Sequence, residues 1–329
     1  MKPLRTGIIG CGNIAKRHAE ILRSVEDVCL VGFCDTNLLA ARQFAEQYGP
    51  AEVFEDYEKM FDQLNLDLVY ICLPPFAHDK EVESACNHGV HILLEKPIAL
   101  NIKQAEAMAG HVNKSGVKCQ VGFMYRFGEA AIWLKNQFTT KEKSKAFMIA
   151  RYSCNSLHSW WWRDKSKSGG QLVEQAIHLL DLTRFFLGEP VQVYSLQDNL
   201  FHRNTEGYTV EDASATVIRF DSGSIAVVAA TNGAIPNRWD CDWRIMMPNL
   251  TADFVDPNHA TIHLTGASYP NVLSIAAEKN IYLAQTLDLL EAVKVDRPTW
   301  VPIEEGVRSL GLALNAAGSA EKQTIVDLA

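Results

Sequence analysis

The sequence lacks several features that would assign it to particular classes of protein. It has no apolar run approaching the ~20 residues of a membrane-spanning helix. Its eight cysteines contain no C-x-x-C pair, so we expect reduced core thiols instead of disulfides or a zinc site. The formal net charge of −8 gives no electrostatic reason to expect a nucleic-acid partner. The opening residues MKPLRTGIIGCGN do not follow the plan of a signal peptide, so we expect a cytoplasmic protein without a membrane partner.

The composition is that of a globular protein. The chain has 329 residues, of which 47% are hydrophobic and 21% are charged. This length is sufficient for two domains of ordinary size. The pattern changes from strands that alternate with helices to mainly long strands, and this predicts a first domain at residues 1–124 and a second at residues 125–329.

A glycine-rich turn lies between the first apolar run and the first helical pattern. Gly10 and Gly12 form a G-x-G-x-x-A motif that ends at Ala15. In a dinucleotide-binding turn the first glycine allows the tight bend, the second lets a pyrophosphate approach, and the small third residue keeps the helix close. The backbone amides of Asn13 and Ile14 would then face the phosphates. A purely structural glycine turn is the alternative, because the motif alone is weak.

Asp35 follows the second apolar run, VCLVGFCD, 23 residues after Gly12. An acid near this distance binds the adenosine ribose in dinucleotide-binding folds. An acid also repels a 2′-phosphate, and the nearest following base is Arg42, so the sequence favours NAD over NADP. Asp35 could equally cap the next helix, and one residue can do both.

Apolar β-rich runs alternate with helical patterns as far as residue 124, which predicts a doubly wound parallel sheet. Ligands on such a sheet bind at the carboxyl ends of its strands. The residues expected there to contact the cofactor are Leu73, Pro74, His78, Glu95 and Lys96. Lys96 could instead be an ordinary exposed lysine at a strand end. Two neighbours argue against this, since Pro97 fixes the adjacent backbone and Glu95 could hold the ammonium charge.

The segment SGGQLVEQAIHLLDL carries Glu174, His178 and Asp181, spaced four and then three residues apart. In a helix these three side chains share one face. From about residue 145 onwards the sequence predicts long antiparallel strands, a hairpin at residues 221–223, and helices near 275–294 and 304–321.

Just before that helix lies HSWWWRDKSKSGG, which contains Trp161, Trp162 and Arg163. One or two of these rings could stack on the apolar face of a ligand, and Arg163 could reach a polar group of that ligand or the cofactor. Packing or a subunit contact is an equally good interpretation of the tryptophans.

The segments GIIGCGNIA, CLPPFAHDKEVESACNHGVHILLEKPIAL, GFMYRF and SGGQLVEQAIHLLDL resemble, in this order, the motifs of the Gfo/Idh/MocA family of oxidoreductases. The resemblance implies a Rossmann domain followed by an α/β domain with a large, open-faced, mainly antiparallel sheet. It also implies a nicotinamide cofactor, a cyclic sugar or polyol substrate, and homodimers or homotetramers built on that sheet. By position, Lys96 and His178 match the catalytic lysine and histidine, and Arg126 and Asp181 match substrate-contacting positions.

The sequence departs from the family pattern at three positions. Glu174 stands where aspartate is usual, Pro75 replaces an asparagine, and Gln175 replaces a small residue. These changes would redirect a carboxylate, alter a contact with the nicotinamide and narrow the pocket, respectively.

The expected chemistry is hydride transfer coupled to proton transfer at a ring hydroxyl or ketone. An unperturbed imidazole titrates near ~6.5, which suits His178 as the general base. Lys96 would stabilise the developing alkoxide, and Glu174 would orient the imidazole. This mechanism needs no metal ion, and we expect none. The alternatives are an NAD-dependent glycosidase that oxidises its substrate transiently, and a non-catalytic sensor on the same fold.

Overall fold

The computed structural model describes residues 2–138, 145–155, 160–266 and 271–328. The chain divides into two compact units. The first comprises Met1–Phe123 and Tyr282–Val307, and the second comprises Met124–Ile281 and Arg308–Ala329. The sequence-based boundary between residues 124 and 125 assigned Tyr282–Val307 to the second domain, whereas its contacts place this segment in the first unit.

The first unit contains a six-stranded sheet in the order β3-β2-β1-β4-β5-β6. Its strands are β1 (Leu4–Ile9), β2 (Val28–Cys34), β3 (Glu52–Phe54), β4 (Leu68–Ile71), β5 (His91–Leu94) and β6 (Cys119–Val121). Every neighbouring pair is parallel. The predicted doubly wound parallel sheet is therefore confirmed, and the carboxyl ends of its strands lie at one edge.

Helices connect these strands. They are α1 (Asn13–Leu22), α2 (Leu38–Tyr48), α3 (Tyr57–Gln63), α4 (Glu81–Asn87) and α5 (Ile102–Ser115), with a 3₁₀ turn at Pro75–Ala77. Side chains that accept amide protons cap three of them, namely Asn37, Asp56 and Asn101. Such caps satisfy amides that have no partner within the helix, which explains why the helices begin where they do.

The core of the first unit lies between the sheet and its helices. Ile8, Phe33 and Leu93 are fully buried in one apolar cluster. Leu289 and Leu290, from the later helix α10 (Ile281–Lys294), belong to the same cluster. Burial of these side chains explains why a segment far along the chain returns to the first unit.

The second unit contains a nine-stranded sheet in the order β14-β13-β12-β11-β7-β10-β9-β8-β15. Its strands are β7 (Phe147–Ser153), β8 (Pro190–Asp198), β9 (Ala213–Phe220), β10 (Ile225–Thr231), β11 (Asp240–Met247), β12 (Leu250–Asp256), β13 (His259–Leu264), β14 (Asn271–Ala276) and β15 (Val326–Asp327). The β7–β10 pair is parallel, and the other pairs are antiparallel. The predicted large, mainly antiparallel sheet is confirmed.

The helices of the second unit are α6 (Glu129–Gln137), α7 (Lys165–Ser168), α8 (Gln171–Glu174), α9 (Ile177–Leu187) and the part of α11 (Ile303–Lys322) that begins at Arg308, and a 3₁₀ turn lies at Met124–Phe127. Helix α9 packs on β7 and β10. Along β9, buried side chains such as Ile218 alternate with exposed ones such as Val217, as expected for a sheet with one covered face.

Several local predictions can be compared with these elements. The hairpin at residues 221–223 is confirmed, because β9 and β10 pair on either side of it. The helix expected from residue 275 is wrong at its start, since β14 extends to Ala276 and α10 begins at Ile281. The segment that carries Glu174 and His178 is two short helices, separated at Gln175 and Ala176, instead of one continuous helix.

Candidate functional site

The glycine turn of the first unit has the shape that a dinucleotide requires. Gly10 has a φ of +87°, and a Cβ atom there would lie 2.6 Å from the carbonyl oxygen of Cys72. At Gly12, which precedes α1, a Cβ would meet no atom within 4 Å. That open space lies at the amino terminus of a ten-residue helix, where the amides of Asn13 and Ile14 belong to the first turn. The turn therefore fits a pyrophosphate group.

Asp35 lies beside this turn, directly after β2. Its Oδ2 accepts the Cys11 amide at 2.8 Å, and its Oδ1 accepts the Asn37 amide at 2.8 Å. Asn37, not Asp35, caps helix α2. The carboxylate is half-buried, and its remaining lone pairs fit the ribose hydroxyls of the same cofactor.

The other strand ends of the same edge carry the remaining predicted cofactor residues. Leu73 follows β4, and its Cδ2 would lie 3.1 Å from a Cβ at Gly10. Pro74 precedes the 3₁₀ turn at Pro75–Ala77. Glu95 and Lys96 follow β5, and the Lys96–Pro97 peptide bond is cis. These residues are brought to one edge of the sheet, as the sequence predicted, while their contacts with a cofactor stay a prediction.

Glu95 has a partner that the sequence did not predict, while its expected contact with the Lys96 ammonium stays a prediction. Its Oε1 lies 2.7 Å from Nε2 of His18, a fully buried residue of α1. Its Oε2 accepts the backbone amide of Lys96 at 3.1 Å. The carboxylate thus contacts the main chain of Lys96 and a buried imidazole.

His78 is buried and hydrogen-bonds Glu81 through Nδ1. Burial by itself would raise the pKa of Glu81, but the hydrogen bond and charge of His78 and two backbone amides outweigh burial, so this pKa lies below its ordinary value. Gln104 also donates to the His78 carbonyl oxygen at 3.0 Å. His78 is therefore fixed within the first unit, and its predicted contact with the cofactor is untested.

In the second unit, Glu174 is the last residue of α8 and His178 lies in the first turn of α9. Both are buried, with exposed fractions of 5% and 7%. The ring of Tyr125 packs on that of His178, with a centroid separation of 5.0 Å and an interplanar angle of 38°. Tyr125 in turn stacks on Trp243. This aromatic packing holds the imidazole of His178 in a defined orientation.

Arg126 and Asp181, both predicted to bind substrate, hydrogen-bond each other. Arg126 Nε donates to Oδ2 at 2.8 Å, and a second guanidinium nitrogen donates to Oδ1 at 2.6 Å. Ser309 Oγ also donates to Oδ1 at 2.8 Å. The guanidinium lies over the ring of Phe185, one turn further along α9. The pair thus fixes the helix that carries His178, and a direct contact with substrate stays a prediction.

The tryptophan segment is described from residue 160, so residues 158 and 159 of the predicted loop lie outside the described residues. Trp161 and Trp162 are half-buried and pack edge to face, with ring centroids 5.7 Å apart. The Arg163 carbonyl accepts the Thr209 amide at 2.8 Å. These contacts show packing, and the proposed stacking on a sugar is untested.

Cys11 lies within the glycine turn, and its surroundings make its thiol a poor nucleophile. Burial, reinforced by the negative charge of Asp35 and by Cys34, raises the pKa of Cys11 to about 12. A thiol with this pKa is protonated at neutral pH and is a poor nucleophile. Cys11 therefore fits a packing role at the turn.

Two further findings concern metals and membranes. His259 and His263 are four residues apart on β13, yet within the described ranges no three His, Cys, Asp or Glu side chains gather as a metal site would require. None of the helices in the same ranges combines the length and apolar character needed to cross a membrane.

Sequence reasoning missed His18 and assigned no role to Tyr125. His18 lies on the buried face of α1 together with Ala15, Ala19 and Leu22. A histidine at this position of an apolar stripe was a signal that could have been recognised. The importance of Tyr125 depends on its contact with His178, which is distant in sequence and leaves no local pattern.

Comparison with known proteins agrees with this geometry. Residues 4–123 match the model of an oxidoreductase family with an NAD-binding Rossmann fold, and residues 145–251 match the GFO/IDH/MocA C-terminal domain. D-glucoside 3-dehydrogenase of Escherichia coli (strain K12) is 30% identical over 241 residues, covering 68% of each chain. Myo-inositol 2-dehydrogenase of Thermotoga maritima is 25% identical over 344 residues, covering 99% of this chain and 98% of its own.

Solved structures show the same fold. A levoglucosan dehydrogenase in complex with NADH and L-sorbose superposes with a TM-score of 0.91 at 20% identity, and each chain is covered completely. With both family models matched in order, and a relative at 30% identity over two thirds of the sequence, the chain belongs to the Gfo/Idh/MocA family of oxidoreductases.

Proposed function

We propose that this protein is an NAD-dependent dehydrogenase or reductase that acts on a ring hydroxyl or ketone of a cyclic sugar or inositol. The observation that carries the proposal is the gathering of the glycine turn, Asp35 and Lys96 at one edge of the parallel sheet. Open space at Gly12 and a carboxylate beside it fit a dinucleotide without a 2′-phosphate. Relatives named for dehydrogenation of glucosides and inositols support the substrate class.

The cofactor would supply a hydride acceptor or donor, and this chain would handle the proton. His178 would take the hydroxyl proton during oxidation and return it during reduction. Lys96 would stabilise negative charge on the substrate oxygen. Tyr125 would keep the His178 ring in its orientation, because the two rings are in contact. Glu174, which is buried and precedes His178 by four residues, would help to orient the imidazole.

Binding of the sugar would use the remaining predicted residues. Trp161 and Trp162 would present apolar ring faces to the C–H face of the sugar, and Arg163 would reach a hydroxyl. Arg126 and Asp181 would act through the helix that they fix, in addition to any contact with substrate.

We also propose that the open face of the nine-stranded sheet binds a second copy of this chain. Phe147, Ile149, Val217 and Ile225 lie on it with exposed fractions of 38–45%. Apolar patches of this kind usually mark an interface. Replacing Ile149 with Glu should convert an oligomer to a monomer in light scattering after size-exclusion chromatography. A native protein that is already monomeric would contradict this proposal.

A substrate panel read at the absorbance of reduced nicotinamide tests the function. It contains inositols, glucosides, glucose 6-phosphate, UDP-N-acetylglucosamine, levoglucosan and L-sorbose, each with NAD(H) and NADP(H). We expect turnover with at least one compound and a preference for the NAD form. Release of free sugar without net reduction of NAD would instead indicate a glycosidase. Tight NADH binding without any turnover would indicate a sensor.

A further inference from the structure

A buried imidazole–carboxylate pair includes Glu95, the residue that precedes Lys96. His18 of α1 and Glu95 at the end of β5 are 77 residues apart in sequence, and their Nε2 and Oε1 atoms are 2.7 Å apart. The His18 side chain is completely buried, and that of Glu95 is 7% exposed. Placing a carboxylate in such surroundings is costly unless it is well hydrogen-bonded. Ordinary core packing therefore does not explain why this pair is buried.

The surrounding structure leaves room for this carboxylate. A Cβ atom at Gly122 would lie 2.6 Å from Glu95 Oε2, so any larger residue would displace it. That same oxygen accepts the Lys96 amide at 3.1 Å. The carboxylate is thus held by His18 on one side and holds the Lys96 peptide on the other.

The environment of His18 fixes the ring and its tautomer. Its ring contacts Tyr70 and Tyr282, with centroid separations of 5.1 and 5.8 Å. Tyr70 is fixed in turn, because its hydroxyl donates to Thr286 Oγ1 at 3.1 Å. His18 Nδ1 is buried and has no hydrogen-bond partner within the described ranges. A proton on Nδ1 would be a buried, unsatisfied donor, so the neutral Nε2–H tautomer, which donates to Glu95, has the lower free energy.

We propose that His18 and Glu95 are positioning residues that set the main chain of Lys96, so that its ammonium group is placed to stabilise negative charge on the substrate oxygen. This inference rests on the proposed function, because Lys96 needs precise placement only if it acts in the reaction. The relay is His18 Nε2–H to Glu95 Oε1, and Glu95 Oε2 to the Lys96 amide. Loss of the imidazole donor frees the carboxylate to rotate and shifts the Lys96 peptide.

The experiment compares two replacements of His18 with a matched control. His18→Leu removes the donor at similar volume. His18→Gln keeps a donor near the position of Nε2. His91→Leu is the control, because His91 begins the same strand, is half-buried and accepts the Lys118 amide at 3.0 Å through Nδ1. For each protein we would measure kcat and KM on the best substrate of the panel, and the Kd of NADH by fluorescence.

We expect His18→Leu to lower kcat by about 10- to 100-fold, since misplacement of a reacting group by about 1 Å costs that much. NADH affinity should stay within about threefold of native, because a positioning residue acts on the reaction and not on binding. His18→Gln should recover most of the lost kcat, and His91→Leu should retain native kcat. If His18→Leu does not fold, Glu95→Gln provides a second test with the same expected loss of kcat, since the amide nitrogen that replaces one carboxylate oxygen cannot accept a hydrogen bond and one link of the relay is lost.

Three results would overturn the inference. These are a native kcat for folded His18→Leu, a loss confined to NADH affinity, and an equal loss of kcat in His18→Gln and His18→Leu. If the native protein converts a substrate of the panel and His18→Leu converts it with the same kcat, only the positioning role is contradicted. Native protein that turns over nothing in the panel contradicts the proposed function and the positioning role together.

Discussion

The Arg126–Asp181 pair should be one of the strongest single determinants of stability in the second unit. Asp181 accepts three hydrogen bonds, two from Arg126 and one from Ser309. The side chains of Arg126 and Asp181 are only 5% and 1% exposed. Asp181→Ala would leave the guanidinium buried without its counter-charge, and this typically costs about 3–5 kcal/mol.

An exposed pair in the same unit provides the control. Arg151 and Asp242 form an ion pair at 2.7 Å, with side chains 62% and 35% exposed. Because water and salt screen such a pair, Asp242→Ala should cost no more than about 1 kcal/mol. The two variants make the same substitution at a buried, multiply hydrogen-bonded carboxylate and at an exposed one, so their difference measures the combined effect of burial and hydrogen bonding.

Thermal unfolding followed by circular dichroism measures this difference. A unit of about 150–250 residues, such as the second one, loses roughly 2–4 °C of Tm per kcal/mol, so Asp181→Ala should unfold about 10 °C lower, and Asp242→Ala within about 4 °C of native. The double variant Arg126→Met with Asp181→Leu should recover part of the loss, because it replaces both buried charges with apolar groups. A Tm for Asp181→Ala within about 2 °C of native, with only KM raised, would refute the structural role and favour direct substrate binding.

The remaining predictions concern the first unit. Asp35→Ala should raise the KM for NAD more than the KM for NADP, because it removes both the acceptor for the ribose hydroxyls and the charge that repels a 2′-phosphate. An unchanged ratio of the two KM values would contradict this. Iodoacetamide near pH 8 should modify exposed Cys29 and spare buried Cys11, whose pKa of about 12 leaves almost no thiolate, as mass spectrometry of the labelled peptides would show. The pKa of Glu81 in the folded protein lies below its ordinary value of 4.5, so its contribution to stability is present above that pH and is lost as the pH falls through the folded-state pKa. Urea unfolding of Glu81→Gln should therefore show a smaller loss of stability on acidification than native protein, and parallel curves would contradict the assignment.

The first unit was largely predictable because its signals are local. Buried parallel strands such as β4, with all four residues buried, give continuous apolar runs. The glycine turn and Asp35 follow from known requirements of phosphate and ribose binding. The return of Leu289 and Leu290 to this core was not predictable, because an amphipathic helix does not reveal which sheet it covers.

The second unit was less predictable in detail. Residues of β14 are almost all exposed, so this edge strand has no clear alternation, and its last two residues were placed in the following helix. The break at Gln175 has no proline or glycine to signal it. The pairs His18–Glu95 and Arg126–Asp181 join residues 77 and 55 positions apart, and no single-sequence pattern predicts such long-range contacts.

We propose that Lys96 and His178 carry the acid–base chemistry of a nicotinamide-dependent oxidation. The most direct test is the single-turnover rate of hydride transfer for native protein, Lys96→Ala, His178→Ala and the double variant, with the Kd of NADH measured for each. We predict that each single change lowers the rate by about 100-fold or more, that the double change adds little to this, and that NADH affinity stays nearly native. A native rate in either single variant, or a loss of NADH binding that matches the loss of rate, would contradict the claim.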